Sequence, residues 1–457
     1  VPTIDHTGNI AGNAYLSALL QRRLALLDPA RYGDVVPTSF DTGGGALMAV
    51  PYWEAGDFDP PPEMHAKWFA WAGVPMRNGF VRPPWAKILG NEGGRAWYDT
   101  QDAFESDLGR LLALMVDDRA VVCPDAHLDE LRAALAASRL TPAEQQRVFP
   151  LLRNDSAWWP ILQLAKSGQY DLLVLYGPFA SAGVVLPRSQ PYVCFEHGTL
   201  RYVPCLREEI DVLLALSYQH ADHVLITNAD CLDAARTLGL DPARTSWTAH
   251  PVDETRFVPG PAPDNDPLVF FCPARSGFLL KGTDKLLYGF RQYVQGMESG
   301  RLPRAVMHLI AGGDDVLETQ RLVASLGLAE HVRWLGALPK CALLRAYQHA
   351  DVVLDQFSQL IGSYGTITVE ALACGKPVVT WVDAAKHQAL GAASPHEVVC
   401  LAKRADEIGA WLGRLAQSPR LRADVGAAGR AWVEQHHGWR AGATQAIRVY
   451  REVLGSP

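Results

Sequence analysis

Residues 351–382 constrain the fold more than any other stretch, because strand, exposed loop, helix and strand follow one another there without a linker. Val352 to Leu354 are apolar and follow the charged Asp351, the pattern of a buried parallel strand. Gly362, Ser363, Tyr364 and Gly365 break the chain, and from Thr366 the apolar residues Ile367, Ala371 and Leu372 recur at helical spacing. Gly375 and Pro377 stop that helix, and Val378 to Trp381 read as the next strand.

A glycine loop entering a helix leaves several backbone N–H groups without intrahelical partners, aimed in front of the sheet. Those donors favour an anion, and the helix dipole adds roughly 0.3 to 1 kcal/mol for a negative group there. Glu370 lies one turn inside the helix, so its carboxylate is not that anion. It suits the vicinal hydroxyls of a sugar beside a phosphate, and a diphosphate with an attached ribose meets both demands.

The stretch resembles the nucleotide-binding signature of the retaining GT-B glycosyltransferases of the GT4 family, in which a Glu, seven residues and a second Glu stand in this context. Glu370 matches the second Glu, which the family uses on the nucleotide ribose. The first falls on Gly362, where the family usually places a carboxylate against the donor sugar. This departure bears on the donor sugar rather than on the nucleotide.

A chain of 457 residues divides naturally into two domains of about 200 residues. Hydrophobic content of 48% with 20% charged residues describes a globular protein, and no apolar run approaches the roughly 18 to 20 residues that span a bilayer. No charged-then-apolar leader opens the sequence, so a cytoplasmic protein is expected. The net charge of −7 argues against a general affinity for nucleic acid or anionic membrane, leaving local basic pockets and peripheral membrane contact open. Cys123, Cys194, Cys205, Cys231, Cys272, Cys341, Cys374 and Cys400 are scattered without a C-x-x-C pair, which predicts buried reduced thiols and no metal site.

In the first half, Gly8 to Asn13 lead into an apolar-periodic helix from Tyr15 to Leu27. By the same resemblance Gly12 is the candidate facing the donor phosphates, although two glycines before a helix suit an ordinary turn equally. Residues 41–99 are irregular, with Gly43 to Gly45, Pro60 to Pro62 and the aromatics Tyr52, Trp53, Trp68, Trp71, Trp85 and Trp97. They read either as a small inserted core or as rings that stack on an acceptor sugar or acyl chain. Gly43 to Gly45 lacks G-x-G-x-x-G spacing, which weakens a dinucleotide-oxidoreductase reading.

Alternation then becomes regular. Strands are predicted at Ala120–Cys123, Asp171–Tyr176, Tyr192–Phe195 and Asp222–Thr227, with helices at Leu128–Ala137, Pro142–Val148 and Glu208–His220 and one capped by Asn228 that runs to Leu238. His197 follows a strand at its carboxyl end, where open α/β sheets bind ligands, and the family carries a His there directed at the donor sugar and diphosphate. Pro259 to Asn265 contain three prolines and no periodicity, and mark a linker.

The second half opens with the strand Leu268–Cys272, after which Arg275 and Lys281 flank a strand-to-helix loop. Two fixed cations there offset charge on a departing phosphate, and the family holds its donor diphosphate with an Arg and a Lys at this separation. Strands follow at Val306–Ala311, Val332–Leu335 and Glu397–Leu401, and helices at Leu317–Leu326, Cys341–His349, Ala405–Ala416, Pro419–Glu434 and Arg440–Leu454. The Gly336-Ala337-Leu338 turn resembles the family's base-recognition loop, making Leu338 a candidate base neighbour.

The expected fold is therefore α/β, of GT-B type, with two Rossmann-like domains facing each other across a cleft. Residues 1–258 form an acceptor-binding domain, 259–266 a linker, 267–438 the nucleotide-sugar domain, and 439–457 a helix that crosses back. The resemblance implies metal-independent transfer of a sugar, with retained anomeric configuration, from a UDP- or GDP-linked donor to a carbohydrate, lipid-linked or small-molecule acceptor, without a further cofactor. Arg275, Lys281 and His197 are the catalytic candidates, and Gly12, Leu338, Gly362, Ser363, Tyr364, Gly365, Thr366 and Glu370 the donor-binding ones. A sugar-nucleotide epimerase of the same shape and a non-catalytic sugar-nucleotide binding protein remain the alternatives.

Overall fold

The computed structural model describes residues 2–7, 13–34, 36–41, 86–88, 128–153, 158–205, 208–336, 338, 340–358 and 360–455. Gly12, the aromatics between Tyr52 and Trp97, and the strand expected at Ala120–Cys123 lie outside the described residues. The chain divides into one unit of Val1–Thr227, Cys231–Pro251 and Gly442–Pro457, and a second of Asn228–Asp230 and Val252–Ala441.

In the first unit the described strands are β1 (Thr3–Thr7), β2 (Val36–Asp41), β3 (Ala86–Ile88), β4 (Leu172–Tyr176), β5 (Tyr192–Glu196), β6 (His223–Ile226) and β7 (Thr245–Trp247). They pair in parallel in the order β3-β2-β1-β4-β5-β6-β7. Every residue of β4 and β5 is buried, which is why both read in sequence as unbroken apolar runs. His6 is one of several buried polar residues in this unit. His6 on β1 bonds Tyr176 through Nδ1 at 2.8 Å and Gln21 Oε1 through Nε2 at 3.1 Å. An amide oxygen only accepts, so the neutral ring donates from Nε2 and receives the tyrosine proton at Nδ1. Burial lowers the His6 pKa to about 3, because the core cannot solvate an imidazolium.

The second unit holds β8 (Leu268–Cys272), β9 (Ala305–Ile310), β10 (Val332–Leu335), β11 (Val352–Leu354), β12 (Val378–Thr380) and β13 (Cys400–Leu401), in the order β10-β9-β8-β11-β12-β13. All described pairs are parallel. Phe270, Leu286, Leu287, Phe290 and Ile408 belong to a core between this sheet and the helices Thr283–Glu298 and Ala405–Gln417. The strand order reverses between β8 and β11, which makes the carboxyl edge there the switch point of the sheet. No helix among the described residues is long and apolar enough to cross a membrane.

Three expectations need correction. The last strand is only Cys400–Leu401, because Val398 and Val399 N–H groups turn back onto the Pro395 carbonyl. The helix expected from Asn228 starts at Cys231, and the Ala229 N–H donates instead to Ser363 Oγ at 3.2 Å. The helix Pro142–Arg153 runs past Val148 through Pro150, where buried Val148 and Leu152 keep its apolar face against the core despite the lost backbone donor.

The loop after β8 is fixed by close backbone contact with the segment after β11. Phe357 N–H donates to the Lys281 carbonyl at 2.7 Å, and Gly282 sits at φ +67°, where an added Cβ would lie 2.8 Å from the Phe357 carbonyl carbon. Gly282→Ala therefore destabilises the second unit by about 1 to 3 kcal/mol in urea unfolding; an unchanged midpoint would contradict this packing. In the first unit, unfolded His6 takes up a proton below pH ~6.5 that the folded ring refuses until about pH 3. Stability consequently falls with acidification by about 1.4 kcal/mol per pH unit across that window. Urea titrations between pH 7 and 5 should show that slope reduced in His6→Gln.

Candidate functional site

The second unit brings most of the candidate residues to the carboxyl edge of its sheet. After β11 the chain runs through Gly362, Ser363, Tyr364 and Gly365 into the helix Thr366–Ala373. Gly365 is its N-cap and no side chain caps it, so the first N–H groups depend on a partner outside the helix. The loop itself is held from beneath. The buried Gln356 amide lies within hydrogen-bond distance of the carbonyls of Ile361 (3.2 Å), Ser363 (2.8 Å) and Trp381 (2.8 Å), while its oxygen accepts from Ser358 N–H at 3.2 Å. Tyr364 points inward, its hydroxyl 2.7 Å from His437 Nε2 and its ring stacked on His387 at 5.1 Å. Tyr364 therefore anchors the loop from the core side. His387 is kept from protonating mainly by burial, which lowers its pKa.

Gly362 is filled space. A Cβ there would lie 2.8 Å from Asp383 Cβ and 3.3 Å from Lys386 Cδ. Asp383 is fixed in turn, capping the helix Ala384–Leu390 through the Ala385 and Lys386 N–H groups and donating its own N–H to the Gly362 carbonyl at 2.9 Å. The glycine thus reflects close approach of the next loop.

Across the switch point, residues 273–282 follow β8. Phe278 N–H donates to Asp315 at 2.6 Å and Gly277 N–H to Thr283 Oγ1 at 3.0 Å, which folds the turn Phe278–Lys281 against the start of the next helix. Arg275 is exposed on this loop. Lys281 is 26% exposed, and its Nζ lies 3.9 Å from Asp355 Oδ1 just beyond β11. Leu338, past the end of β10, is half-buried.

Glu370 is 3% exposed along its side chain and already occupied. Lys340 Nζ bonds Oε1 at 2.5 Å and the Tyr347 hydroxyl donates to Oε2 at 3.0 Å. Lys340 and Tyr347 lie seven residues apart on the helix Lys340–His349, hence on one face, and that spacing was a readable signal of a shared target. A carboxylate oxygen accepts more than one hydrogen bond, so acceptor capacity remains for a hydroxyl.

His197 belongs to the first unit, directly after β5. The preceding Glu196 is fully buried, accepting from the Tyr218 hydroxyl at 2.5 Å and from the Gly198 N–H. Beside this clamp His197 Nε2 is buried without a hydrogen-bond partner among the described residues. Burial is the main cause lowering the His197 pKa, opposed by the Glu196 charge, so the ring is neutral and has one nitrogen to offer. Glu196 and Tyr218 were missed because a single Glu and a helical Tyr carry no motif.

Among the described residues no group of three His, Cys, Asp or Glu side chains is arranged to hold a metal ion. Six of the seven described cysteines are buried and Cys205 is exposed, which corrects the expectation that all would be buried.

Residues 258–432 match the family described as Glycosyl transferases group 1. A D-inositol 3-phosphate glycosyltransferase 2 from Catenulispora acidiphila is 31% identical over 173 residues, covering 34% of this chain and 39% of that protein. The chain thus spans about two fifths of the length of that curated relative in the matched stretch. Over the whole of both chains, the structure is similar to sucrose-phosphate synthase from Thermosynechococcus elongatus, with TM-score 0.60 and 16% identity. It is also similar to Anabaena Alr3699/HepE in complex with UDP, with TM-score 0.55, 13% identity, and coverage of 99% of this chain and 100% of that one. Residues 258–432 are thus similar to the group 1 glycosyl transferases, and the chain takes a GT-B fold of two Rossmann-like α/β domains.

Proposed function

We propose that this protein is a GT4-type glycosyltransferase that moves a sugar from a UDP- or GDP-linked donor to an acceptor hydroxyl with retention at the anomeric carbon, in the cytoplasm and without a metal ion. The observation that carries this reading is the pairing of an uncapped helix N-terminus at Gly365 with the Lys281 turn, one on each side of the β8/β11 reversal. An anion lodged there meets backbone donors and fixed cations together.

In the proposed reaction the bond from the anomeric carbon to the β-phosphate oxygen breaks as the acceptor oxygen bonds the same face, and the acceptor proton passes to that phosphate oxygen. Negative charge grows on the leaving diphosphate. Arg275, Lys281 and the N–H groups at Gly365 and Thr366 offset it, the service a divalent cation gives elsewhere. Glu370 receives the ribose hydroxyls, and Leu338 borders the base. His197 supports turnover as a neutral ring. Six of the described cysteines are buried thiols outside any disulfide, which suits a reducing compartment. The names of the relatives, a glycosyltransferase among them, and the UDP complex of a protein of like fold support a nucleotide-sugar donor.

Calorimetry with UDP and GDP in EDTA tests the site. Arg275→Ala and Lys281→Ala should each weaken the preferred nucleotide roughly 10- to 100-fold, in line with hydrogen bonds to charged groups. Glu370→Gln, which keeps an acceptor for Lys340, should weaken it several-fold. Affinities within twofold of wild type in all three variants would remove the assignment. Gly362→Glu must displace Asp383, and should reduce affinity for the sugar nucleotide more than for the bare nucleotide. His197→Ala should lower kcat by about 10-fold or more while leaving nucleotide affinity within twofold; a loss of affinity with kcat unchanged would assign the ring to binding alone.

A further inference from the structure

Lys281 and Lys340 both approach buried carboxylates, yet differently. Lys340 spends a donor on Glu370 at 2.5 Å. Lys281 stands 3.9 Å from Asp355, beyond hydrogen-bond reach, and among the described residues its ammonium donates no hydrogen bond to the protein. Asp355 has a side chain only 1% exposed. Its Oδ2 accepts from Thr368 Oγ1 at 2.7 Å, on the helix that leaves the glycine loop. Its Oδ1 is buried and, among the described residues, has no hydrogen-bond partner. An unsatisfied buried carboxylate oxygen is expensive to keep, and the nearby cation is what compensates it.

We propose that Asp355 is the positioning residue for Lys281, holding the ammonium beside the glycine-loop helix by charge alone so that its three N–H donors stay free for the donor diphosphate. This rests on the nucleotide-sugar reading above. Three elements meet in the arrangement. The Lys281 turn is tied to the segment after β11 by the Phe357 N–H and by Ser358 Oγ, which donates to the Leu279 carbonyl at 2.7 Å. Asp355 directly follows β11, and Thr368 locks its carboxylate to the helix. A hydrogen-bonded pair at 2.8 Å would fix the lysine equally well and consume a donor; the longer separation fixes it and leaves the donors available. Other ionisable groups on the surrounding elements are Arg275 on the same loop, Asp315 on the Phe278 N–H, Lys285 on the Phe357 carbonyl, and the Cys272 thiol, pushed up to about 12 by burial and therefore neutral.

The test is a double-mutant cycle on UDP and GDP affinity at pH 7 with Asp355→Asn and Lys281→Met, with thermal unfolding to verify folding. Asp355→Asn should weaken binding about 10-fold, and in the Lys281→Met background it should add less than twofold, since the carboxylate acts through the lysine. Full additivity in the cycle overturns the proposal. The same pair is read without nucleotide by NMR of ¹³Cε-labelled lysines at pH 7, with Lys281→Met assigning the signal. A Lys281 resonance that moves and sharpens in Asp355→Asn, as the ammonium is released, supports the pairing even if neither nucleotide binds wild-type protein, a result that would instead sink the nucleotide-sugar reading. An unchanged Lys281 resonance overturns the pairing whatever binds.

Discussion

The second unit depends on how the loop from Gln356 to Gly365 is held. A helix N-terminus serves an anion only if its N–H groups are rigidly aimed and not consumed by a side-chain cap. Gln356 meets the first condition by gathering the Ile361, Ser363 and Trp381 carbonyls beneath the loop, and Gly365 meets the second. Tyr364 closes the loop from behind through the Ala393 carbonyl and His437, while the helix end stays open.

Charge is arranged around that end in layers. Arg275 is exposed, Lys281 is half-shielded and opposed by a buried carboxylate, and Lys340 is sealed onto Glu370. The gradient separates Arg275 from Lys281, to which the sequence gives the same role, and sets both apart from Lys340. A cation already bonded to a carboxylate at 2.5 Å offers less to a diphosphate than one held at 3.9 Å, because its charge is neutralised and a donor is used. The Glu370 carboxylate, braced by Lys340 and Tyr347, is correspondingly rigid, and a rigid acceptor suits discrimination of a fixed diol.

Much of the second unit was legible because its signals are local. Val352–Leu354 and the helix from Thr366 fall where apolar runs and a glycine break put them, since parallel strands buried on both faces leave no alternation to misread. The end of the sheet was less legible: Glu397–Val399 look like strand, but the Pro395 carbonyl claims the Val398 and Val399 backbone donors. What the sequence hides are side chains that act across elements. Asp355, Gln356 and Glu196 carry no motif in the sequence, yet each is buried and bonded to residues further along the chain. Gly362 shows the same limit from the other side. Its identity follows from the Asp383 backbone and side chain approaching from the next loop, and no spacing rule contains that information.

The central claim is that the edge between β8 and β11 holds a diphosphate. Phosphorus NMR of UDP and GDP titrated with the protein in EDTA tests it most directly, because each phosphate reports its own surroundings. Binding there predicts that the β-phosphate resonance of one nucleotide moves and broadens more than the α resonance, and that the effect saturates. Unperturbed resonances of both nucleotides at millimolar concentration, or a response that appears only after a divalent metal is added, would contradict the account.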